Sequence, residues 1–244
     1  MSTSHLETVR IDPRFCGPAR SGNGGYTAGL VAAALASDQV AAGKPVRVRL
    51  RMPPPLTIDL NLTAADGLVQ LTGPDGLVAE GGPSDEDLPL VDPVHPDEAR
   101  AAEASYRGLV NHPFPTCFAC GPQNPAGLQL RPGLLGDGRT ACRWTPPADL
   151  ADTDGLIGTP YLWAALDCPG GWAIDLEGRP SVLGQMTTCV DARPPAGEAC
   201  VVMGRHLGED GRKTFTATTL YDADGRVLAR AAQIWIQVDP AAFR

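Results

Sequence analysis

The sequence predicts an α+β protein made of two tandem units, each an enclosed helix followed by an antiparallel meander. Three observations carry that prediction. Two apolar helical runs follow glycine- or proline-marked turns, one behind Ser21-Gly-Asn-Gly-Gly25 and one behind Gly158-Thr-Pro160. Each run gives way to segments with strand-like alternation. Two hairpins share one pattern, Leu71-x-x-x-Asp75-Gly76-x-Val78 and Leu220-x-x-x-Asp224-Gly225-x-Val227, with turn residues in place in both. The halves also agree in a strand that ends in prolines, Pro53-Pro54 in one and Pro194-Pro195 in the other. The spacing between matched positions grows along the chain, as small loop insertions would make it. A unit of this kind wraps its sheet around its helix.

Length and composition agree. A chain of 244 residues with 43% hydrophobic content can bury one large core or two small ones. The 28 glycines and 24 prolines imply many turns. No stretch approaches the ~20 apolar residues that span a bilayer, and the first residues have no basic segment with an apolar run behind it. A soluble, cytoplasmic protein without membrane insertion is therefore expected. Seven cysteines, an odd number in a full-sized chain, read as reduced thiols rather than a disulfide framework. The formal charge of −8 argues against a broad nucleic-acid surface and leaves room for a local basic patch.

Residues 7–12 alternate and predict a strand, and Phe15-Cys-Gly-Pro18 a turn. The glycine-rich loop at 21–25 opens a small-residue helix over 26–36, where free N–H groups and the positive dipole end collect. Strict alternation at 46–51 places Val46, Val48 and Leu50 on one face and Arg47, Arg49 and Arg51 on the other. That arginine stripe is either a solvated outer face or a surface for the phosphates of a nucleotide-bearing ligand. Strands at 57–62, 68–72 and 77–79 complete the first unit, residues 1–82. An acidic, Pro- and Gly-rich linker with a short helix follows at 83–112.

The second unit, residues 113–244, opens on Cys117-Phe-Ala-Cys-Gly-Pro-Gln-Asn-Pro-Ala-Gly-Leu128. A closed zinc site needs four ligands and no second Cys-x-x-Cys pair occurs, so no metal is expected and the pair reads as a buried turn with apolar thiols. Strands are predicted at 127–131 and 139–144, then a helix over 158–173, with Thr159 as its cap and Pro160 preset for its first turn. Residues 161–166 are apolar on every side, the mark of an enclosed helix. One carboxylate, Asp167, is set into that run, and a buried carboxylate needs a partner or a use. Pro169 and Gly170-Gly171 predict a kink or stop. Strands at 182–190, 198–203, 213–221 and 227–238 follow.

With these residues in view, the chain resembles the hot-dog acyl-CoA thioesterases, of the kind similar to the phenylacetate-pathway enzyme, as a tandem double hot-dog. Many members carry His-Gly-Gly at the helix start, an Asp nine positions after that His, and Gly four further on. Asp167 and Gly171 match the later part, while Gly158-Thr159-Pro160 stands where His-Gly-Gly would be. In the first unit Asn23-Gly24-Gly25 matches the opening, and Ala32 occupies the Asp position. The segment 117–128 also resembles one seen ahead of such domains.

Nine positions along one helix is about 13 Å, too far for a helix-start amide and a carboxylate to act on one carbon. The working pair must come from two helices side by side. The resemblance therefore implies one composite site, Asn23, Gly24 and Gly25 with Asp167, and one dead site at Ala32 and Gly158. At the former, the Gly24 amide holds a thioester carbonyl oxygen as charge develops, and Asp167 acts as general base or nucleophile. Asn23 orients substrate or water, and the resemblance places Gln185 near the attacking water. Arg47, Arg49 and Arg51 are candidates for coenzyme phosphates. The implied partner is an acyl-CoA or related thioester, with CoA entering as part of the substrate and no separate cofactor. A homodimer is expected if sheet edges stay open. The alternative is a non-catalytic acyl-CoA or lipid-binding protein on the same scaffold. A hydratase is disfavoured, because His5, His95, His112 and His206 fall in the tail, the linker or beside loops.

Overall fold

The computed structural model describes residues 4–35, 43–239 and 241; residues 1–3 of the tail and Ala36, expected at the end of the first helix, lie outside the described residues. In the first half, β1 (Ser4–Val9) precedes helix α1 (Gly24–Ala33), and β2 (Val46–Leu50), β3 (Leu60–Ala65), β4 (Leu68–Gly73) and β5 (Gly76–Pro83) follow it. A connection containing the short helix α2 (Pro96–Ala102) leads to β6 (Gly133–Leu134), β7 (Arg139–Trp144) and helix α3 (Thr159–Trp172). The chain closes with β8 (Ser181–Val190), β9 (Cys200–Asp210), β10 (Lys213–Tyr221) and β11 (Val227–Gln237).

All eleven strands join one antiparallel sheet in the order β1-β3-β4-β5-β2-β8-β11-β10-β9-β7-β6. The run β1-β3-β4-β5-β2 is mirrored by β7-β9-β10-β11-β8, and the two meet where β2 pairs with β8, Val46 opposite Thr188 and Val48 opposite Met186. Helix α1 packs on β2, β4, β5 and β8, and α3 on β7 through β11. The two helices also pack on each other. Gly25 and Gly29 allow this approach: a Cβ at Gly25 would lie 2.6 Å from the Trp163 carbonyl oxygen and from Asp167 Cβ, and one at Gly29 would lie 2.5 Å from Pro160 Cα.

Helix α3 is enclosed from Leu162 to Trp172, as the apolar run at 161–166 predicts for its early body. Leu162, Trp163, Leu166 and Trp172 are fully buried, and each large side chain of this kind contributes about 1.5–3 kcal/mol of burial.

Three local expectations need correction. Thr159 is the first helical residue, and Gly158 is the N-cap with no side-chain bond. Pro169 does not stop the helix, which continues to Trp172; surrounding side chains take up carbonyls of this turn, Gln233 donating to the Leu166 oxygen at 2.8 Å and Thr140 to that of Pro169 at 2.7 Å. No strand forms over 127–131, because Gln129 turns through the left-handed region (φ 56°) and the chain joins the sheet only at β6. The stretch 83–112 contains the short helix α2 and packs against the second half. Val91, Ala99 and Ala102 pack on Ala141, Val201, Met203 and Ala217, the side chains of β7, β9 and β10 that point away from the helices. There the Val91 N–H bonds Thr219 Oγ1 at 3.0 Å, and Tyr221 Oη donates to the Val91 oxygen at 2.7 Å.

Candidate active site

The start of α1 is built by Asn23. Its extended backbone (φ −60°, ψ 135°) makes it the N-cap, and its Oδ1 accepts the Tyr26 N–H at 2.8 Å. That bond turns the other end of the amide toward α3. Asn23 Nδ2 donates to Asp167 Oδ2 at 3.0 Å, and the Gly25 N–H donates to the same oxygen at 2.9 Å. One carboxylate of the second half thus joins a cap residue and a helix-start amide of the first. Asp167 is 2% exposed, no cation pairs with it among the described residues, and its Oδ1 has no hydrogen-bond partner there. Burial pushes its carboxyl up to about 7, against the opposing pull of the Gly25 N–H and the Asn23 amide.

Gly24 is the first helical residue, so its N–H has no intrahelical acceptor. Together with Asn23 and Asp167 it lines a cavity of ≈ 230 Å³. The remaining wall is mainly apolar and includes Met52, Phe114, Trp172, Leu183 and Trp235. The complementary position differs: Ala32 is half-buried, and the Gly158 N–H is bonded to the Leu150 oxygen at 3.0 Å.

Gln185, Arg47 and Arg49, expected at the site, lie elsewhere. Gln185 is not on the cavity wall. Gly184 forms a bulge opposite the Ile234–Trp235 step, so Leu183 and Met186 both enter the core while Gln185 faces outward. There its Oε1 accepts from Arg49 Nε at 2.9 Å. The arginines lie on that outer face and are mostly engaged: Arg47 pairs with Glu86 at 3.0 Å, and Arg51, at the cavity edge, pairs with Glu80. They form a salt-bridged surface rather than an open cluster of cations.

The cavity also contains groups to which the sequence analysis gave no part in the site. Cys117, Cys120 and Cys168 line it together with His112. The three sulfurs lie within 4.8 Å of one another, and Cys117 Sγ is 3.6 Å from Cys168 Sγ. His112 Nδ1 accepts the Phe114 N–H at 2.9 Å, which leaves the ring proton on Nε2, 3.3 Å from Cys120 Sγ. Burial holds the His112 imidazole below its ordinary range. The Cys-x-x-Cys spacing was the only sequence signal for this cluster. Nothing local tied Cys168 or His112 to it.

No family model and no curated protein matches the sequence. Solved structures do match across the whole chain. A protein designated a thioesterase from Novosphingobium aromaticivorans aligns with 97% of this chain and 99% of its own, at a TM-score of 0.66 and 17% identity. A protein of unknown function with a hot dog fold from Alicyclobacillus acidocaldarius aligns with 96% and 93%, at 0.65 and 13%. The tesB protein of Mycobacterium avium subsp. paratuberculosis aligns with 95% and 92%, at 0.62 and 14%. The chain therefore has the hot-dog fold over its full length.

Proposed function

We propose that the chain is a double hot-dog thioester hydrolase, two tandem units of residues 1–82 and 113–244, with one composite site between them. The observation that carries this reading is the shared carboxylate oxygen. Asp167 Oδ2 accepts from both Asn23 Nδ2 and the Gly25 N–H, which fixes the side chain and leaves the buried Oδ1 without a partner in a residue that lines the cavity. A buried carboxylate with one oxygen held and one free is costly unless the free oxygen takes part in chemistry. The names of the matched structures support the choice of thioester.

In this reading the thioester carbonyl oxygen accepts the Gly24 N–H at the positive end of α1. Asp167 Oδ1 takes the proton of a water that attacks the carbonyl carbon, or attacks that carbon itself to form an anhydride that water then opens. Either way the carbon–sulfur bond breaks, the thiol leaves protonated and a carboxylic acid remains. The apolar wall holds the acyl group, and an acyl-CoA is the expected substrate. The complementary position, with Ala32 for the carboxylate, is inactive.

The test is hydrolysis of short, medium, long and aromatic acyl-CoAs by wild type and Asp167→Asn. Wild type should cleave at least one class, and the variant should lose about 10²–10⁴-fold in kcat/KM. Binding of CoA esters without cleavage by wild type would make the chain a binding module. Equal cleavage by both proteins would move the site elsewhere.

A further inference from the structure

The cavity wall also carries three cysteines that the hydrolytic reading does not use. Cys117 and Cys120 lie in a turn closed by the Gly121 N–H bonding the Cys117 oxygen at 2.8 Å. This turn needs glycine: a Cβ at Gly121 would sit 2.4 Å from Cys117 N. Cys168 comes from α3, one residue beyond Asp167. The three sulfurs fall within 4.8 Å of one another, and one pair is at 3.6 Å. Thiolates on one tetrahedral zinc ion, at about 2.3 Å from it, are about 3.8 Å apart, so the sulfurs need only a small adjustment to share an ion.

What surrounds the sulfurs is equally specific. Asn23 Nδ2 lies 3.7 Å from Cys117 Sγ. His112 Nε2 and Trp172 Nε1 point at Cys120 Sγ from 3.3 and 3.4 Å. Three N–H donors from three separate segments converge on two buried sulfurs. Neutral thiols are weak acceptors and have little use for them, whereas thiolates bound to a metal are oriented and held by donors of this kind. Because the Phe114 N–H occupies His112 Nδ1, the imidazole serves here as a donor to sulfur and not as a fourth ligand.

We propose that Cys117, Cys120 and Cys168 form a three-thiolate site for a single Zn²⁺, whose fourth coordination position opens onto the cavity. Binding releases the three thiol protons to solvent and leaves the site with one net negative charge, which the three N–H donors offset. The redox state of the sulfurs does not change. The site stands apart from the hydrolytic proposal, since its test reads metal and not turnover.

The experiment uses the full chain, reduced, loaded with Zn²⁺ and dialysed against a chromophoric chelator; Co²⁺ replaces Zn²⁺ in a parallel sample. One equivalent of Zn²⁺ should stay bound, and the Co²⁺ form should show thiolate charge-transfer and intense tetrahedral visible bands. Cys168→Ser should lose both. Cys189→Ser should keep both, since Cys189 is outside the cluster and its Sγ–H bond to the Gly43 oxygen at 3.2 Å can be taken over by a hydroxyl. Trp172→Phe keeps all three ligands and removes one donor, so zinc affinity should fall about 10-fold; this variant keeps the proposal testable if Cys168→Ser does not fold. A wild-type protein with all seven thiols reduced that retains no Zn²⁺ would overturn the proposal. So would a bound equivalent that survives Cys168→Ser.

Discussion

Asn23 does two jobs with one amide. Its oxygen caps α1 by accepting the Tyr26 N–H, and its nitrogen donates to Asp167. Substitution can separate them. Serine retains a capping oxygen, and Asn and Ser cap about equally well, but it cannot carry an N–H as far as Asp167. Asn23→Ser should therefore keep its urea midpoint close to wild type while kcat/KM for the preferred acyl-CoA falls about 10-fold or more. Unchanged hydrolysis would show that the amide has no part in catalysis. Asp167 itself is held between opposing influences, burial raising its pKa and two N–H donors lowering it. These donors are what set its orientation, because Oδ2 is committed to them and Oδ1 is left over.

At the scale of the elements, the site depends on how closely α1 and α3 approach. Gly25 sits where any side chain would strike the α3 backbone and Asp167 Cβ. Gly25→Ala should destabilise the protein by about 1–3 kcal/mol, read as a lower urea midpoint at unchanged slope. Gly136 provides the comparison, since a Cβ there meets nothing within 4 Å; Gly136→Ala should be neutral or stabilise by up to about 1 kcal/mol. Equal effects at the two positions would mean that the helices are free to separate. The β8 strand shows the same dependence on neighbours. One inserted residue, Gly184, decides which side chains reach the core and moves Gln185 out of the site.

For the molecule as a whole, the β2–β8 pairing makes the two halves one sheet, and one main hydrophobic cluster runs through both. Unfolding should accordingly be a single event. All four tryptophans, Trp144, Trp163, Trp172 and Trp235, lie in the second half, so fluorescence reports that half while far-ultraviolet circular dichroism reports both. The two signals should give coincident urea transitions. A dichroism transition that begins before the fluorescence one would show the first half unfolding alone. The connection at 83–112 adds to this coupling, because it packs on the second half's sheet through Val91, Ala99 and Ala102.

Much of the architecture was legible in the sequence by itself: the helices behind the 21–25 and 158–160 turns, both Asp-Gly hairpins and the alternating strands. These follow from short-range rules of periodicity, turn chemistry and helix length, which a local stretch of chain carries whatever surrounds it. The tertiary structure alone decided the rest. Gln185 faces outward because β11 sets the register of β8. Two arginines of the stripe, Arg47 and Arg51, are paired with Glu86 and Glu80, brought in by β5 and the segment beyond it. Cys168 meets the Cys117 turn only once α3 is docked against it. In each case the deciding contact joins residues far apart in the chain, and such contacts leave no periodic trace in the sequence because they depend on packing and register, which the whole fold sets at once.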